Sequence, residues 1–452
     1  MEQIDAHRPP LFSSQALRRL MIPLIFEQLL AMTVGMADTI MITAVGEEAV
    51  SGVALVDTIN ILIIQVLAAL CTGGAVVCSQ YLGRQEQANA RMAARQLVYT
   101  VVALMLAVAI PLTFLRRQTL LLVFGRLDAA VMDHAMSYFL LTSLSFPFLA
   151  VYNACAALYR SMGNSRVSLM ASAIMNVINI GGNAVLIYGC GWGAAGAGAA
   201  TLASRIAAAV IMLLLIRKPV NVIHLAGLHR VRLDFGMIRS ILRIGVPSGF
   251  ENGLFQVGKL LVQTLIAGLG TAAIAANAII NSVSSVLLVP GVAAAYTMIT
   301  VVGQCVGAGD YDQARGYTRR LMSFTYLAVG LINLPFLFFS RPVFGLFHLS
   351  AGATDMACAI MPVLAVAHMA VYPLAFPFAN VLRAAGDVRF TMIVSIISMW
   401  LLRVGLSYVL VLGFQMGLAG VWCAMFADWI GRILCFVPRY ISGKWKGKRV
   451  IP

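Results

Sequence analysis

The segment VSGVALVDTINILIIQVLAALCTGGAVVC (residues 50–78) is almost entirely apolar, and Asp57 is its only charged side chain. An α-helix needs about 20 consecutive apolar residues to cross the hydrocarbon core of a bilayer, which is about 30 Å thick. The segment is longer than this minimum. It therefore predicts a membrane-spanning helix with one carboxyl group placed inside it.

Apolar stretches of this kind recur along the whole chain. Of its 452 residues, 61% are hydrophobic and 11% are charged, whereas a soluble domain carries about 25% charged residues. We predict an all-α membrane protein with twelve transmembrane helices. The predicted spans are residues 17–45, 50–78, 94–115, 132–158, 168–189, 194–216, 240–268, 273–305, 318–340, 356–382, 390–412 and 417–437.

Basic residues are distributed unequally between the two sides of this predicted bundle. An even number of spans places both termini on one side, and most of the Lys and Arg residues fall in the loops and termini of that side. Because basic residues accumulate in cytoplasmic loops, both termini are predicted to be cytoplasmic. The expected location of the protein is the inner membrane of a bacterium. The net charge of +15 is explained by these orientation signals and does not indicate a nucleic-acid partner.

The two halves of the sequence match each other at an offset of about 224 residues, which places Pro23 on Pro247. Each half contains six predicted spans, so matching segments cross the membrane in the same direction. Transporters built from repeats place the substrate between the halves; the alternative is a duplicated bundle without a transport role. Further matches are Glu27 with Glu251, Gln80 with Gln304, Gly196 with Gly420, and YRSMGNSR (159–166) with LRAAGDVR (382–389).

The repeat predicts three parts of the chain. Residues 1–219 form an N-terminal six-helix lobe, residues 220–239 form a cytoplasmic linker, and residues 240–452 form a C-terminal six-helix lobe with a basic cytoplasmic tail. The fold is therefore predicted to consist of two pseudo-symmetric six-helix bundles.

Acidic residues inside the predicted spans are candidates for a coupling site. A charge at the bilayer centre costs about 2.5–3.5 kcal/mol on insertion scales, so such residues usually face a cavity or a partner. Glu27 and Asp38 are about three helical turns apart and lie on nearly one face. A pair of carboxylates fits a cation or proton route, although Glu27 could instead be solvated at the cytoplasmic end. The candidates are Glu27, Asp38, Asp57, Glu251 and Asp428.

Asparagines recur at helical spacing in the fifth span, at Asn176, Asn179 and Asn183. Their amides could coordinate a cation or bind substrate. They could equally join helices by hydrogen bonds, which is a common role of polar residues in membranes. The sequence leaves both interpretations open.

Basic residues also lie within the predicted spans. Asp428 and Arg432 are four residues apart in the last span, which predicts an ion pair. Arg205, Lys259 and Arg403 have no acidic neighbour in the sequence. They require partners across the bundle or a water-filled cavity, where they would repel cations or attract anionic substrates.

The tenth span contains two prolines, Pro373 and Pro377, beside Tyr372, Phe376 and Phe378. This pattern predicts a kinked helix with aromatic faces, which suit flat cationic ligands or simple packing.

The sequence contains no P-loop and no HExxH motif, and its eight cysteines show no metal-ligand spacing. We therefore predict that the protein is not an enzyme, needs no cofactor or bound metal, and draws on an ion gradient.

Several segments together resemble the multidrug and toxic compound extrusion (MATE) transporters. GMADTIMI (35–42), SQYLGRQEQANARMAARQ (79–96) and GVPSGFENGLFQVGKLLV (245–262) are similar to family motifs in their order along the chain. The resemblance covers almost the whole chain. It implies a MATE-like, V-shaped arrangement of two six-helix lobes, a monomer, and export of drugs or metabolites in exchange for Na⁺ or H⁺.

The resemblance also implies site residues. In the DinF-like branch the N-terminal lobe binds the cation, and its residues fall on Asp38, Asn179 and Thr201. A second aspartate of that branch is replaced here by Asn183, which removes one negative charge and favours coupling to H⁺ or a weaker Na⁺ site. In the NorM-like branch the acids lie in the C-terminal lobe. One of them lies about a turn from Glu251, and the other falls on a tyrosine.

These inferences define the expected function. The protein is expected to be an H⁺- or Na⁺-coupled antiporter that exports small cationic or amphipathic organic molecules across the lipid bilayer by alternating access. The alternative is a lipid-linked oligosaccharide flippase of the same broader superfamily, for which Arg205, Lys259 and Arg403 would hold a pyrophosphate. A receptor or intramembrane enzyme has no motif in its support. The expected cation-coupling residues are Asp38, Asn179, Asn183 and Thr201, and the candidates for substrate binding or secondary coupling are Glu27, Glu251, Tyr372 and Arg403.

Overall fold

The computed structural model describes residues 9–227, 231–345, 347, 350–448 and 450–451. These residues form two compact units, one of residues Ser14–Gly249 and one that combines the chain up to Ser13 with the chain from Phe250 onward. Each unit contains most of one half of the sequence repeat. The division into lobes and linker at residues 219 and 240 stays a prediction, and the basic residues Arg8, Arg230 and Arg449 lie outside the described residues.

The N-terminal unit contains six helices that are long and apolar enough to cross a membrane, as predicted. A short helix between the third and fourth of them begins with two arginines and is not a span. The helix Ser165–Asn183 continues to Gly189 as a wider π-helical turn. The helices are α1 (Ser14–Thr43), α2 (Glu47–Gly83), α3 (Gln87–Phe114), α4 (Arg116–Phe124), α5 (Ala129–Ser161), α6 (Ser165–Asn183) and α7 (Gly193–Ile216).

Helix α5 is the centre of this unit and packs against α2, α3 and α7. Small residues allow the close approach. A Cβ atom at Gly52 of α2 would lie 2.9 Å from the backbone of α5 at Val131 and Ala135. A Cβ at Gly198 of α7 would lie 2.9 Å from Leu141. Apolar periodicity thus decides which faces are buried, and glycine decides how near the helices come.

The C-terminal unit contains five further helices of spanning length and hydropathy among the described residues. A 3-10 turn, Leu334–Leu337, extends the helix Tyr311–Asn333. Two π-helical segments, Ser398–Gly405 and Val409–Gly413, continue the short helices Val388–Ile397 and Leu406–Tyr408. Together they form one continuous helix. The helices are α8 (Phe235–Ala267), α9 (Thr271–Leu287), α10 (Val289–Gly307), α11 (Tyr311–Asn333), α12 (Ser340–Gly345), α13 (Ala351–Ala370), α14 (Tyr372–Ala375), α15 (Ala379–Ala384), α16 (Val388–Ile397), α17 (Leu406–Tyr408) and α18 (Gly417–Ile441).

Three predicted spans of this half differ in detail from the helices observed. The predicted span 273–305 is divided at Leu288 into α9 and α10, and Pro290 occupies the first turn of α10, where its missing N–H costs little. The predicted kink in span 356–382 is present, since α13, α14 and α15 are separate helices. Helix α8 is continuous but less apolar, because Glu251, Lys259 and several amides lie along it.

The duplication extends to backbone detail. The π-helical turn after α6 ends at Gly189, and the one after α17 ends at Gly413. These two glycines correspond to each other under the offset that places Pro23 on Pro247. Both halves therefore use the same distortion at the end of the equivalent helix.

Candidate functional site

A polar cluster lies within the N-terminal unit, where α1 meets α6. Asn183 donates a hydrogen bond from Nδ2 to Oδ1 of Asp38 at 2.5 Å. Asn183 is fully buried, whereas Asp38 is partly exposed. Two residues that the sequence proposed as coupling residues are therefore in direct contact.

The other two proposed coupling residues join α6 to α7. Asn179 donates from Nδ2 to Oγ1 of Thr201 at 3.3 Å, and both side chains are buried. The Oδ1 atoms of Asn179 and Asn183 accept no hydrogen bond within the described chain. Buried acceptors normally have a partner, and oxygen atoms of this kind are ligands for hard cations. The cluster thus has two amide oxygens that a bound cation could use.

A second carboxylate, that of Asp57 on α2, extends the cluster. Its Oδ1 accepts hydrogen bonds from Tyr138 Oη at 3.0 Å and from Asn60 Nδ2 at 3.1 Å. The guanidinium of Arg205 on α7 interacts electrostatically with Asp57 and Asp38, and it donates to Ser145 Oγ at 2.6 Å. Arg205 therefore has the partners across the bundle that its sequence neighbours lack. We call the group formed by Asp38, Asp57, Asn179, Asn183, Thr201 and Arg205 the acidic cluster.

The acidic cluster carries a net negative charge. Asp38 and Asp57 contribute two negative charges when ionised, and Arg205 contributes one positive charge. A net charge of −1 at membrane depth is costly unless a partner balances it. The sequence analysis named Asp57 as an acid inside a span but did not place it beside Asp38. It did not identify Tyr138 as a hydrogen-bond partner of Asp57.

Glu27 and Glu251 lie in equivalent ion pairs. Glu27 Oε1 is 3.5 Å from Arg160 Nη1, and its Oε2 accepts from Ser168 Oγ at 2.7 Å. Glu251 Oε1 is 2.6 Å from Arg383 Nη2. All four ion-pair members are mostly buried. Each glutamate thus has an arginine partner inside its own unit, and a role of either in coupling stays a prediction.

A basic cluster lies in the C-terminal unit. Arg432 Nε is 2.9 Å from Asp428 Oδ1, which confirms the predicted ion pair. Arg403 Nη1 lies 3.9 Å from the other carboxylate oxygen of Asp428. Asp428 is fully buried and also accepts from Ser398 Oγ at 2.6 Å. One carboxylate therefore holds two guanidinium groups.

The aromatic faces predicted for the kinked span are occupied by the protein itself. Tyr372 is buried and stacks on Phe376 with the ring centres 5.4 Å apart. It also packs so close to Gly291 that a Cβ there would lie 2.5 Å from its ring. The guanidinium of Arg432 lies 4.8 Å from the centre of the Phe376 ring. The guanidinium of Arg432 and the close packing of Tyr372 therefore occupy the faces of these rings.

A pocket within the C-terminal unit is lined by parts of α8, α9 and α18 together with Arg403. It contains about 390 Å³ of empty space, part of which is open solvent. Lys259 and Arg403 supply two cationic groups, and Gln263 and Asn277 supply amides. Trp422 forms part of the wall, and its Nε1–H has no acceptor in the described part of the chain. We call this site the basic pocket.

The duplication is also visible in the family to which the sequence is similar. A family model described as MatE matches residues 23–185 and 247–409. The chain belongs to the MatE family. The two matched ranges of this MatE chain begin at Pro23 and Pro247, which confirms the repeat and its offset.

Relatives along the full length agree. The uncharacterized transporter YisQ of Bacillus subtilis is 27% identical over 432 residues, which cover 94% of this chain and 93% of YisQ. The probable multidrug resistance protein NorM of Thermotoga maritima is 28% identical over 443 residues, which cover 96% and 93%. A crystal structure described as MATE in the bent conformation matches with a TM-score of 0.88 at 18% identity, covering 96% of each chain. The predicted MATE family and all-α fold are confirmed, and the chain is an integral membrane protein of a multidrug efflux family.

Proposed function

We propose that the protein is a cation-coupled antiporter that exports small organic molecules by alternating access, as a monomer in a bacterial inner membrane with both termini cytoplasmic. Membership of a multidrug efflux family supports the direction of transport. The observation that carries the coupling is the acidic cluster of the N-terminal unit. It retains one negative charge and two amide oxygens that accept no hydrogen bond from the described residues.

Asp38 is the residue through which a cation would act. Its hydrogen bond from Asn183 is charge-assisted, and it links α1 to α6. A proton on Asp38 removes the negative charge and weakens that bond. A Na⁺ ion would instead compete for the carboxylate and for the amide oxygens of Asn179 and Asn183. In either case, occupancy by the cation changes how strongly α1 is held to α6.

We favour H⁺ as the coupling ion. The residue at position 183 is an amide, and Arg205 adds a positive charge, so the cluster offers a Na⁺ ion only one net negative charge. A proton needs only a carboxylate that gains and loses it, and Asp38 provides one that is partly exposed.

The test is efflux from proteoliposomes under separate H⁺ and Na⁺ gradients, with ethidium as the probe. We expect the H⁺ gradient to drive efflux and Asp38→Asn to reduce it at least tenfold, or about 1.4 kcal/mol in the coupled step. Asp355→Asn is the matched control, because its carboxylate is exposed and pairs with Arg341 at the surface. Unimpaired efflux by Asp38→Asn would place the coupling acid elsewhere.

A lipid-linked oligosaccharide flippase is the second candidate. The observation that favours it is that Lys259 and Arg403 share one pocket, as a pyrophosphate site would require. Arg205 does not belong to that pocket and lies in the N-terminal unit. Gradient-independent movement of a polyprenyl pyrophosphate across the same proteoliposomes would support this candidate.

A further inference from the structure

The basic pocket occupies the repeat-equivalent position of the acidic cluster. The offset that places Pro23 on Pro247 relates positions in the two matched halves, and the glycines at 196 and 420 extend it into the last span. Three positions of the acidic cluster have counterparts that line the basic pocket. The pairs are Asp38 with Val262, Asp57 with Asn281, and Thr201 with Met425.

The two sites carry opposite charges. Both carboxylates of the acidic cluster have uncharged counterparts, and the basic pocket contains Lys259 and Arg403 instead. Among the described residues that line the basic pocket, none is acidic. Asp428 does not line the pocket and is shared by Arg403 and Arg432, so one positive charge remains unbalanced. A protonated Lys259 adds a second.

Lys259 is placed to meet a ligand. It lies in the second half of α8, a helix of 33 residues, and it is exposed. A lysine at membrane depth faces an aqueous cavity or a partner, because hydrocarbon does not solvate an ammonium group. The described chain provides no carboxylate within ion-pair distance of Lys259, so its counter-charge must come from solution.

Arg403 supplies a second, more rigid donor. Its guanidinium lies 5.5 Å from the centre of the Phe255 ring and 3.9 Å from Asp428 Oδ2. Neither contact is a hydrogen bond, so its N–H donors stay open to other partners. Gln263 accepts a hydrogen bond from Asn277 at 3.2 Å, which orients its amide group. The buried N–H of Trp422 is a further donor without an acceptor in the described structure.

We propose that the basic pocket binds the carboxylate or phosphate group of an organic anion that the transporter exports. The apolar wall formed by Val262, Val421 and Met425 accommodates the adjoining part of an apolar body. The inference rests on the export function proposed above and deepens it, since it adds an organic anion to the cationic molecules that the sequence suggested as substrates.

Binding to the purified full-length protein tests the proposal without any ion gradient. Isothermal titration calorimetry would compare phenyl phosphate and benzoate with benzyltrimethylammonium, which has a similar apolar body and the opposite charge. We expect the two anions to bind at least tenfold more tightly than the cation. We also expect the affinity for the anions to fall with ionic strength, because the site is open to solvent.

Two variants of the pocket and one control locate the binding. Lys259→Gln and Arg403→Asn are each expected to weaken anion binding about tenfold. Lys444→Gln removes an exposed positive charge far along the chain and should leave binding unchanged. Because Arg403 helps to balance Asp428, its variant could misfold; Lys259 is exposed, and Lys259→Glu should reverse the preference to the cation. Equal binding of anion and cation, or anion binding unaffected by Lys259→Gln, overturns the proposal.

A further arm identifies the source of the anionic group. Farnesyl pyrophosphate binding at least tenfold more tightly than phenyl phosphate, with the same dependence on Lys259, indicates a lipid-linked substrate; weaker binding indicates a soluble one. Failure of the pocket is distinguishable from failure of coupled export. Gradient-driven ethidium efflux without anion binding overturns only the pocket, whereas anion binding without any gradient-driven movement overturns only the coupling.

Discussion

The acidic cluster of the N-terminal unit and the basic pocket of the C-terminal unit stand at equivalent positions of one duplicated sequence but carry opposite charges. In the first, two carboxylates surround one guanidinium. In the second, one carboxylate balances two guanidinium groups, and Lys259 lies nearby without a counter-charge among the described residues. Under the functions proposed above, the two halves have different tasks: one holds the coupling cation and the other binds the substrate anion.

The buried ion pairs near the beginning of each half, in contrast, have the same charges in both halves. Glu27 with Arg160 and Glu251 with Arg383 join matching helices, and both pairs are retained and buried. Burying an ion pair costs desolvation, but removing one partner from it costs more. Pairs that join helices therefore persist after a duplication, whereas residues that face a cavity can change their charge.

The largest expected effect comes from removing the one carboxylate of the basic cluster. Asp428→Ala leaves Arg432 and Arg403 without their counter-charge in a fully buried position, which should cost about 3–5 kcal/mol of stability. The measurement is the thermal unfolding of the detergent-purified protein and its yield on size-exclusion chromatography. Asp355→Ala, which breaks an exposed pair, should cost less than about 1 kcal/mol. Equal losses from the two variants would show that Asp428 does not stabilise the cluster.

A smaller effect is expected from adding a carboxylate to the basic pocket. Val262 is the counterpart of Asp38 and lies one helical turn from Lys259. Val262→Asp should place a carboxylate beside that lysine and weaken the binding of phenyl phosphate about tenfold, or about 1.4 kcal/mol. Val262→Asn has nearly the same size without the charge and should change the affinity by less than about threefold. Equal effects of Asp and Asn would mean that shape, rather than charge, decides binding.

Much of this architecture could be predicted from the sequence, for physical reasons that are local. Apolar length predicted the spans, and the repeat offset predicted the duplication. The spacing of Asp428 and Arg432 predicted their ion pair, because residues four apart share a helix face. Prolines predicted the interruption of the tenth span, whereas the division at Leu288 between two apolar helices left no comparable signal.

The composition of both sites could not be predicted, because it depends on distant residues. Asp57 receives its hydrogen bond from Tyr138, 81 residues away. Arg403 and Lys259 share a pocket although they lie on different helices far apart in the chain. Helical periodicity shows which face of a helix is polar but not which neighbour that face meets. Adding the repeat offset to Asp38 and Asp57 would have shown without any structure that both carboxylates have uncharged counterparts.

The smallest expected effect concerns one hydrogen bond of the acidic cluster. Tyr138→Phe removes the donor to Asp57 Oδ1 but keeps the buried ring, and Asn60 remains as a donor to the same oxygen. The change should cost about 1 kcal/mol, so H⁺-driven ethidium efflux should fall roughly fivefold. Tyr188→Phe is the matched control, since that hydroxyl is exposed and donates only a long bond of 3.4 Å to Met41 O. If both variants export at the wild-type rate, Asp57 does not take part in coupling, and the charge that matters in the N-terminal unit is that of Asp38 alone.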